Sequence, residues 1–141
     1  MYKLDAKDHK IIEILKQNSR MSIRDIAKKT SIRPSTVHQR ITQLKKHGVV
    51  EKYTLKLNNA AMGEDFIVFM LINTTQDIDS KLLSSSHVKE VFGVTGEYDL
   101  ILKLKFKDVS EFNDFVISLR KQENVRETLT MVATANLKEE V

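Results

Sequence analysis

The sequence contains no cysteine. This excludes disulfide frameworks, thiolate nucleophiles and Cys-ligated zinc or iron–sulfur centres, and it accords with a reducing compartment. Long apolar runs are lacking too. The longest, Phe66 to Ile72, spans seven residues, against the roughly 20 needed to cross a bilayer. The first ten residues, MYKLDAKDHK, hold no apolar signal core. A cytoplasmic protein with no membrane partner is expected. Histidines are few: His9, His38 and His47 are scattered without metal-ligand spacing, and the second half holds only His87. No metal, cofactor or catalytic set is expected. What remains is a chain of 141 residues, 41% hydrophobic and 30% charged, which describes one ordinary folded domain or two small ones.

The net charge of +4 is unevenly distributed. Residues 1–60 hold 14 Lys/Arg against 5 Asp/Glu, a balance of +9, and residues 61–141 hold 9 against 14, a balance of −5. A compact basic module points to a polyanion, with nucleic acid ahead of membrane because no long amphipathic helix with an aromatic face is present. A merely solvated basic surface is the competing reading.

Hydrophobic spacing divides the basic half into three helices. The first, about Asp5 to Asn18, places Ile11, Ile12, Ile14 and Leu15 within two turns. The second, about Ser22 to Thr30, opens on Ser22 and Asp25 at capping-box spacing, with Met21 and Ile26 at hydrophobic-staple positions. The third begins near Pro34, the only proline, whose fixed φ and missing amide suit a first helical turn. Val37, Ile41 and Leu44 cluster on its inner side. The opposite side shows Ser35, Gln39, Thr42 and Lys46, flanked by His38 and Gln43.

That outer face is polar but almost uncharged. A solvated helix more often carries Glu/Lys pairs four residues apart, whereas Ser, Thr, Gln and His offer hydrogen bonds that can meet base edges. Arg33 and Arg40, at the start and edge of the helix, are placed to clamp phosphates, and an Arg at a helix start opposes the macrodipole until an anion arrives. The short connection Ser31-Ile32-Arg33 makes the pair a helix-turn-helix, with Ala27 small enough for a close crossing. Gly48 can stop the third helix, and residues 48–57 can form a wing or linker strand. The competing reading is a helical bundle with no nucleic-acid role. The candidate DNA contacts are Arg33, Ser35, Thr36, His38, Gln39, Arg40, Thr42, Gln43 and Lys46.

The second half changes period. A strand is expected over Asp65 to Thr74, apolar on both sides, then a short helix capped by Asp77 and carrying Ile78, Leu82 and Leu83. Strands follow over Val88–Thr95 and Tyr98–Phe106 around a two-residue Gly96-Glu97 turn. A helix with a Phe112, Phe115, Val116 and Leu119 stripe starts at the capping pair Asp108 and Glu111, and a last strand runs from Glu127 to Leu137. The order β-α-β-β-α-β is that of a ferredoxin-like fold. Both helices cover one sheet face, and a partner subunit is the natural cover for the other; the chain's own linker strand is the alternative. The expected class is therefore α+β: a winged helix-turn-helix over 1–52, a linker strand over 53–63 and a ferredoxin-like domain over 64–141.

These residues carry a family resemblance. Leu4-Asp5 with Asp8, Ile11-Ile12 and Leu15, Met21-Ser22-Ile23-Arg24-Asp25-Ile26-Ala27, Arg33-Pro34-Ser35-Thr36-Val37, Arg40-Ile41, Leu44 and Gly48-Val49-Val50 resemble the DNA-binding half of the Lrp/AsnC, or feast/famine, regulators. Val94-Thr95-Gly96-Glu97-Tyr98-Asp99-Leu100 and Val125-Arg126-Glu127-Thr128-Leu129-Thr130 are similar to the family's Thr-Gly-x-x-Asp turn and its Val-x-x-Thr-x-Thr last strand. Two positions depart from the pattern: Ser31 stands where the family usually has Gly, and Arg33 where a Ser often caps the third helix.

The resemblance implies a transcription factor whose dimers pair through their sheets, assemble into tetramers or octamers and bind a small amino acid between dimers. Effector contacts would fall at Gly96, Glu97, Tyr98 and Asp99, with Thr128 and Thr130 nearby. Glycine allows close backbone approach, Asp99 can meet an ammonium, and threonine hydroxyls can meet a carboxylate. Gly96 as a plain turn residue and the threonines as plain β-formers remain the alternative. The expected function is sequence-specific regulation of transcription on double-stranded DNA, with two recognition helices about 34 Å apart. Siroheme decarboxylases look similar to this family, so an enzyme is one alternative, although no dense Arg/His cluster for a tetrapyrrole's carboxylates is present. A low-specificity DNA-coating protein is another.

Overall fold

The computed structural model describes residues 1–76 and 80–141, and the chain divides into two units, Met1–Leu55 and Lys56–Val141. In the first unit the first two helices begin where a side chain can take up a free amide. The Asp5 carboxylate accepts from the Asp8 amide at 3.0 Å while the Asp8 carboxylate accepts from the Asp5 amide at 3.1 Å. This reciprocal cap starts α1, Ala6–Gln17. Ser22 Oγ accepts from the Asp25 amide at 3.1 Å and starts α2, Ile23–Thr30. Helix α3, Pro34–Lys46, opens on the proline and has no side-chain cap, because Arg33 stands at the capping position. Ile11, Ile26, Ala27, Ile32 and Val37 form the core, with Met21 and Ile41 against it.

Helix α3 ends where Gly48 takes φ +72°, with the Val49 amide returning to the Leu44 carbonyl at 2.9 Å. The expected wing or linker strand is not formed: residues 48–65 contain no strand. A strand needs a neighbour for its amides and carbonyls, and Val49, Tyr53, Leu55, Leu57 and Met62 of this stretch stay exposed, Leu55 at 70%. Tyr53 instead lies under the Lys45 ammonium, 5.1 Å from the ring centre.

The second unit is one antiparallel sheet in the order β2-β3-β1-β4, built from β1 Phe66–Thr74, β2 Val88–Gly93, β3 Leu100–Phe106 and β4 Val125–Val132. Helix α4, Ser80–Leu83, connects β1 to β2, and α5, Val109–Arg120, connects β3 to β4. This is the ferredoxin-like order. The expected cap Asp77 and the apolar Ile78 lie outside the described residues. Asp108 caps α5 by accepting from the Glu111 amide at 2.9 Å.

Strand alternation sorts the side chains. Val68, Met70 and Ile72 of β1 join Leu102, Leu104 and Phe106 of β3, and Phe112 and Leu119 of α5 close over them. Ile67, Phe69 and Leu71 point to the other face, paired with Lys105, Lys103 and Ile101 on one side. On the other side Leu71 pairs with Leu129 and Phe69 with Met131. That face is not fully covered: Leu129 and Met131 are 44% and 45% exposed.

Two further expectations are corrected. The last strand ends at Val132, not Leu137, because β1 begins at Phe66 and its last partner is Ala133, whose amide donates to the Ile67 carbonyl. The following tail is held by Glu139. Its carboxylate accepts from Asn59 Nδ2 at 3.0 Å and Lys105 Nζ at 3.1 Å and pairs with Lys103. These partners hold the Glu139 carboxyl well below the usual range, the Lys103 contact foremost. A depression of 220 Å³ lies beside it, floored by Ile67 and Phe69 and walled by Ala135 to Glu139. The connection between β2 and β3 is six residues, 94–99, not two.

Candidate functional site

Helix α3 presents the hydrogen-bonding row that its period predicts. Val37 and Leu44 are wholly buried, whereas Arg33, Ser35, His38, Gln39, Thr42 and Lys46 are exposed. Thr36, Arg40 and Gln43 are half-buried along one flank. Thr42 Oγ1 donates to the His38 carbonyl at 2.9 Å, so its lone pairs are what the hydroxyl offers outward. A row of this width, with a Pro-started first turn and few charges, can lie along a groove and meet donors and acceptors on base edges.

Arg40, expected from the sequence to clamp a phosphate, is here paired with two carboxylates. Its guanidinium bonds Asp5 Oδ2 and lies 3.4 Å from Asp8 Oδ1, a carboxylate that is wholly buried. The amide of Asp8 and then the guanidinium hold the Asp5 carboxyl below its ordinary value, and the Asp5 carboxylate raises that of Arg40. The pair ties the start of α1 to the flank of α3, so an incoming phosphate competes with two carboxylates for this arginine. Arg33 makes no cap bond and remains exposed at the helix start.

The two departures from the family pattern are both visible. Ser31 takes φ +57°, the left-handed conformation in which glycine is favoured. Arg33 leaves the first amides of α3 without a side-chain acceptor.

In the second unit, the six-residue connection replaces the expected tight turn because Asp99 is bound to the neighbouring strand. Its amide donates to the Ile72 carbonyl at 3.0 Å and to Asn73 Oδ1 at 3.1 Å, and its Oδ2 accepts from the Thr74 amide at 2.9 Å. Asn73 Nδ2 donates to the Glu97 carbonyl at 2.8 Å, and the Val94 amide closes the loop on the Asp99 carbonyl. Gly96, at φ +114°, occupies backbone space that side-chain-bearing residues rarely adopt.

Register places the two predicted groups at one end of the sheet. Ile72 pairs with Leu100 on one side and Thr128 on the other, so the loop and Thr128 stand two strand spacings apart, about 10 Å. Thr130 pairs with Met70, two residues further along. Gly96, Glu97, Asp99, Thr128 and Thr130 are exposed, and Tyr98 is half-buried.

Sequence reasoning missed Asp5, Asp8, Asn73 and Glu139. The Asp5-x-x-Asp8 spacing of a reciprocal cap was present to be read; nothing local announced that Asn73 bonds Glu97, 24 residues away, or that Glu139 bonds Asn59, 80 residues away. His87 is held by packing, its ring 4.7 Å from that of Phe106 and its Nδ1 3.0 Å from the Lys105 carbonyl. Among the described residues no group of His, Asp and Glu could hold a metal ion.

Known proteins match both units. Residues 4–51 fit a family described as winged helix-turn-helix DNA-binding, and residues 68–141 fit the Lrp/AsnC ligand binding domain. The HTH-type transcriptional regulator FL11 of Pyrococcus furiosus is 36% identical over 133 residues, covering 92% of this chain and 88% of that protein. Escherichia coli AsnC has the same fold, with a TM-score of 0.90 at 23% identity, covering 99% of this chain and 98% of that one. So does a Neisseria meningitidis transcriptional regulator solved with L-Met, with a TM-score of 0.89 at 23% identity over 98% of this chain and 94% of that one. With both modules in order along nearly its whole length, the chain belongs to the Lrp/AsnC family of transcriptional regulators.

Proposed function

We propose that this protein regulates transcription by laying α3 in the major groove of double-stranded DNA, under the control of a small amino acid bound at the 94–99 loop. The observation that carries the reading is the exposed row Ser35, His38, Gln39, Thr42 and Lys46 on a half of the chain with a balance of +9. Arg33 supplies phosphate contact at the helix start. The DNA-binding part is residues 1–52, and residues 64–141 bind effector and join subunits. Subunits pair through the open sheet face as homodimers and assemble further to tetramers or octamers. The protein is not an enzyme on this reading. Its relatives are named regulators, and His87, the one histidine of the second half, is occupied by Phe106 and Lys105.

The L-Met bound by the Neisseria protein supports an amino acid as effector here. Asp99 and the Thr128 and Thr130 hydroxyls offer the charge and hydrogen bonds that an ammonium and a carboxylate require. Effector binding then reweights assembly states that hold DNA differently.

Two measurements test the reading together. Affinity for duplex should fall by roughly 10³-fold between 50 and 200 mM salt if about six phosphates are neutralised, and Gln39→Ala should erode discrimination between operator and random duplex by about tenfold. A salt-independent affinity would refute phosphate contact. In calorimetric titration with the twenty amino acids, Asp99→Asn, which keeps an acceptor for the Thr74 amide, should abolish the heat of whichever amino acid binds. Unchanged heat would move the effector elsewhere.

A further inference from the structure

Strand β1 is apolar from Phe66 to Ile72 and turns polar at Asn73. Asparagine is disfavoured in strands, and this one uses its side chain outside its own strand. Val68, Met70 and Ile72 face the core, so Asn73, one residue further on, lies on the open face in line with Leu71. Its Oδ1 accepts from the Asp99 amide at 3.1 Å, and its Nδ2 donates to the Glu97 carbonyl at 2.8 Å. Each role is fixed by the partner. A main-chain amide only donates and a main-chain carbonyl only accepts, so the side-chain amide fits in one orientation.

The other bonds that hold the 94–99 loop engage its first or last residue: the Val94 amide with the Asp99 carbonyl, the Asp99 amide with the Ile72 carbonyl, and the Thr74 amide with Asp99 Oδ2. Among the described residues, the bond from Asn73 Nδ2 to the Glu97 carbonyl is the one that reaches the middle of the loop. Gly96, next to it, adds little stiffness of its own. Asn73 also adjoins the other half of the candidate site. It pairs with Glu127 on β4, and its neighbour Ile72 pairs with Thr128, so the loop and the threonine strand share this end of β1 as their frame.

We infer that Asn73 is a positioning residue that presets the 94–99 loop for a small amino acid, acting through Glu97 and Asp99 rather than on the ligand. A loop already held in its binding shape loses no affinity to being ordered. The inference rests on the loop being the effector site.

The test compares the full chain with Asn73→Leu, of similar shape and unable to make either bond, and Asn73→Thr, a good strand former too short to bridge both partners. Hydrogen exchange is followed by mass spectrometry over residues 66–72 and 94–99 without ligand, and amino-acid binding by calorimetry. In both variants exchange over 94–99 should rise about tenfold while 66–72 exchanges as in the parent. The Kd for the amino acid should rise about tenfold, as the competent share of loop shapes falls to about a tenth. Affinity for DNA without the amino acid should stay as in the parent, and saturating amino acid should return the loop to the parent's exchange.

Unchanged exchange over 94–99, an equal rise in both segments, or a faster loop with an unchanged Kd would overturn the inference alone. A parent that gives no heat with any of the twenty amino acids would overturn the effector-site reading with it.

Discussion

Ser31 and Arg33 show how far two side chains can set a turn. The left-handed conformation costs an L-residue about 1–2 kcal/mol, and Ser31 bears it at φ +57°. Ser31→Gly removes that cost but adds freedom to the unfolded chain, so a net gain of about 0.5–1 kcal/mol is expected. The check is a rise in the denaturation midpoint of the helical unit with no change in DNA affinity. Arg33→Ser should act on both properties in opposite directions. The new hydroxyl can accept from an amide of the first turn, worth about 1 kcal/mol, and the repulsion between the arginine and the helix dipole disappears. The lost guanidinium should lower the slope of log affinity against log salt by about 1. A variant that gains stability yet keeps the parent slope would show that Arg33 touches no phosphate.

Where an element ends depends on its neighbours more than on its own composition. Residues 133–137 alternate as a strand would, yet β4 stops at Val132, because β1 offers no partner beyond the Ile67 carbonyl to which Ala133 donates. The tail is secured by charge. Glu139 is 10% exposed, between Lys103 and Lys105, which are 16% and 11% exposed. Removing one member of such a cluster leaves buried charge unmatched. Glu139→Gln should cost on the order of 2 kcal/mol at neutral pH, measured by urea titration read at the methyl signals of Leu102 and Leu104. The pH dependence has a definite sign. The carboxyl is depressed in the folded chain, so its contribution is complete above the ordinary value of 4.5 and is lost as pH falls from there. Between pH 5 and 2 the parent should lose stability more steeply than Glu139→Gln, and parallel curves would refute the clamp.

Across the whole molecule, opposite charge balances separate a part suited to a polyanion from a part suited to assembly. The open sheet face carries Phe69 against Met131 and Leu71 against Leu129. Exposed apolar neighbours of this kind suit the subunit pairing proposed above. Leu129→Lys should dissociate the parent oligomer to single subunits in sedimentation velocity while the helical unit keeps its fold. It should also weaken operator binding severely, because two half-sites must be held together. A parent that sediments as a lone subunit would refute the interface.

Much of this was legible in residue order. The buried Val37 and Leu44 with an exposed Gln39 follow from the helical period, and the alternation of Leu102 and Leu104 with Lys103 and Lys105 follows from the pleat. Caps at Ser22 and Asp108 are three-residue patterns, and they appeared where the spacing puts them. Local chemistry suffices for such features because their partners lie within a turn of the chain.

The rest waited on distant partners. No window of sequence could show that Arg40 meets Asp5 and Asp8 more than 30 residues away, or that the His47 ring stacks on Tyr2. Nor could it show that Asp99 is bound by Ile72, Asn73 and Thr74 and so opens a six-residue loop. A periodic pattern states which side of an element faces inward. Which residue then spends its donors and acceptors on the protein, and which keeps them for a ligand, is settled when remote segments come within hydrogen-bonding distance.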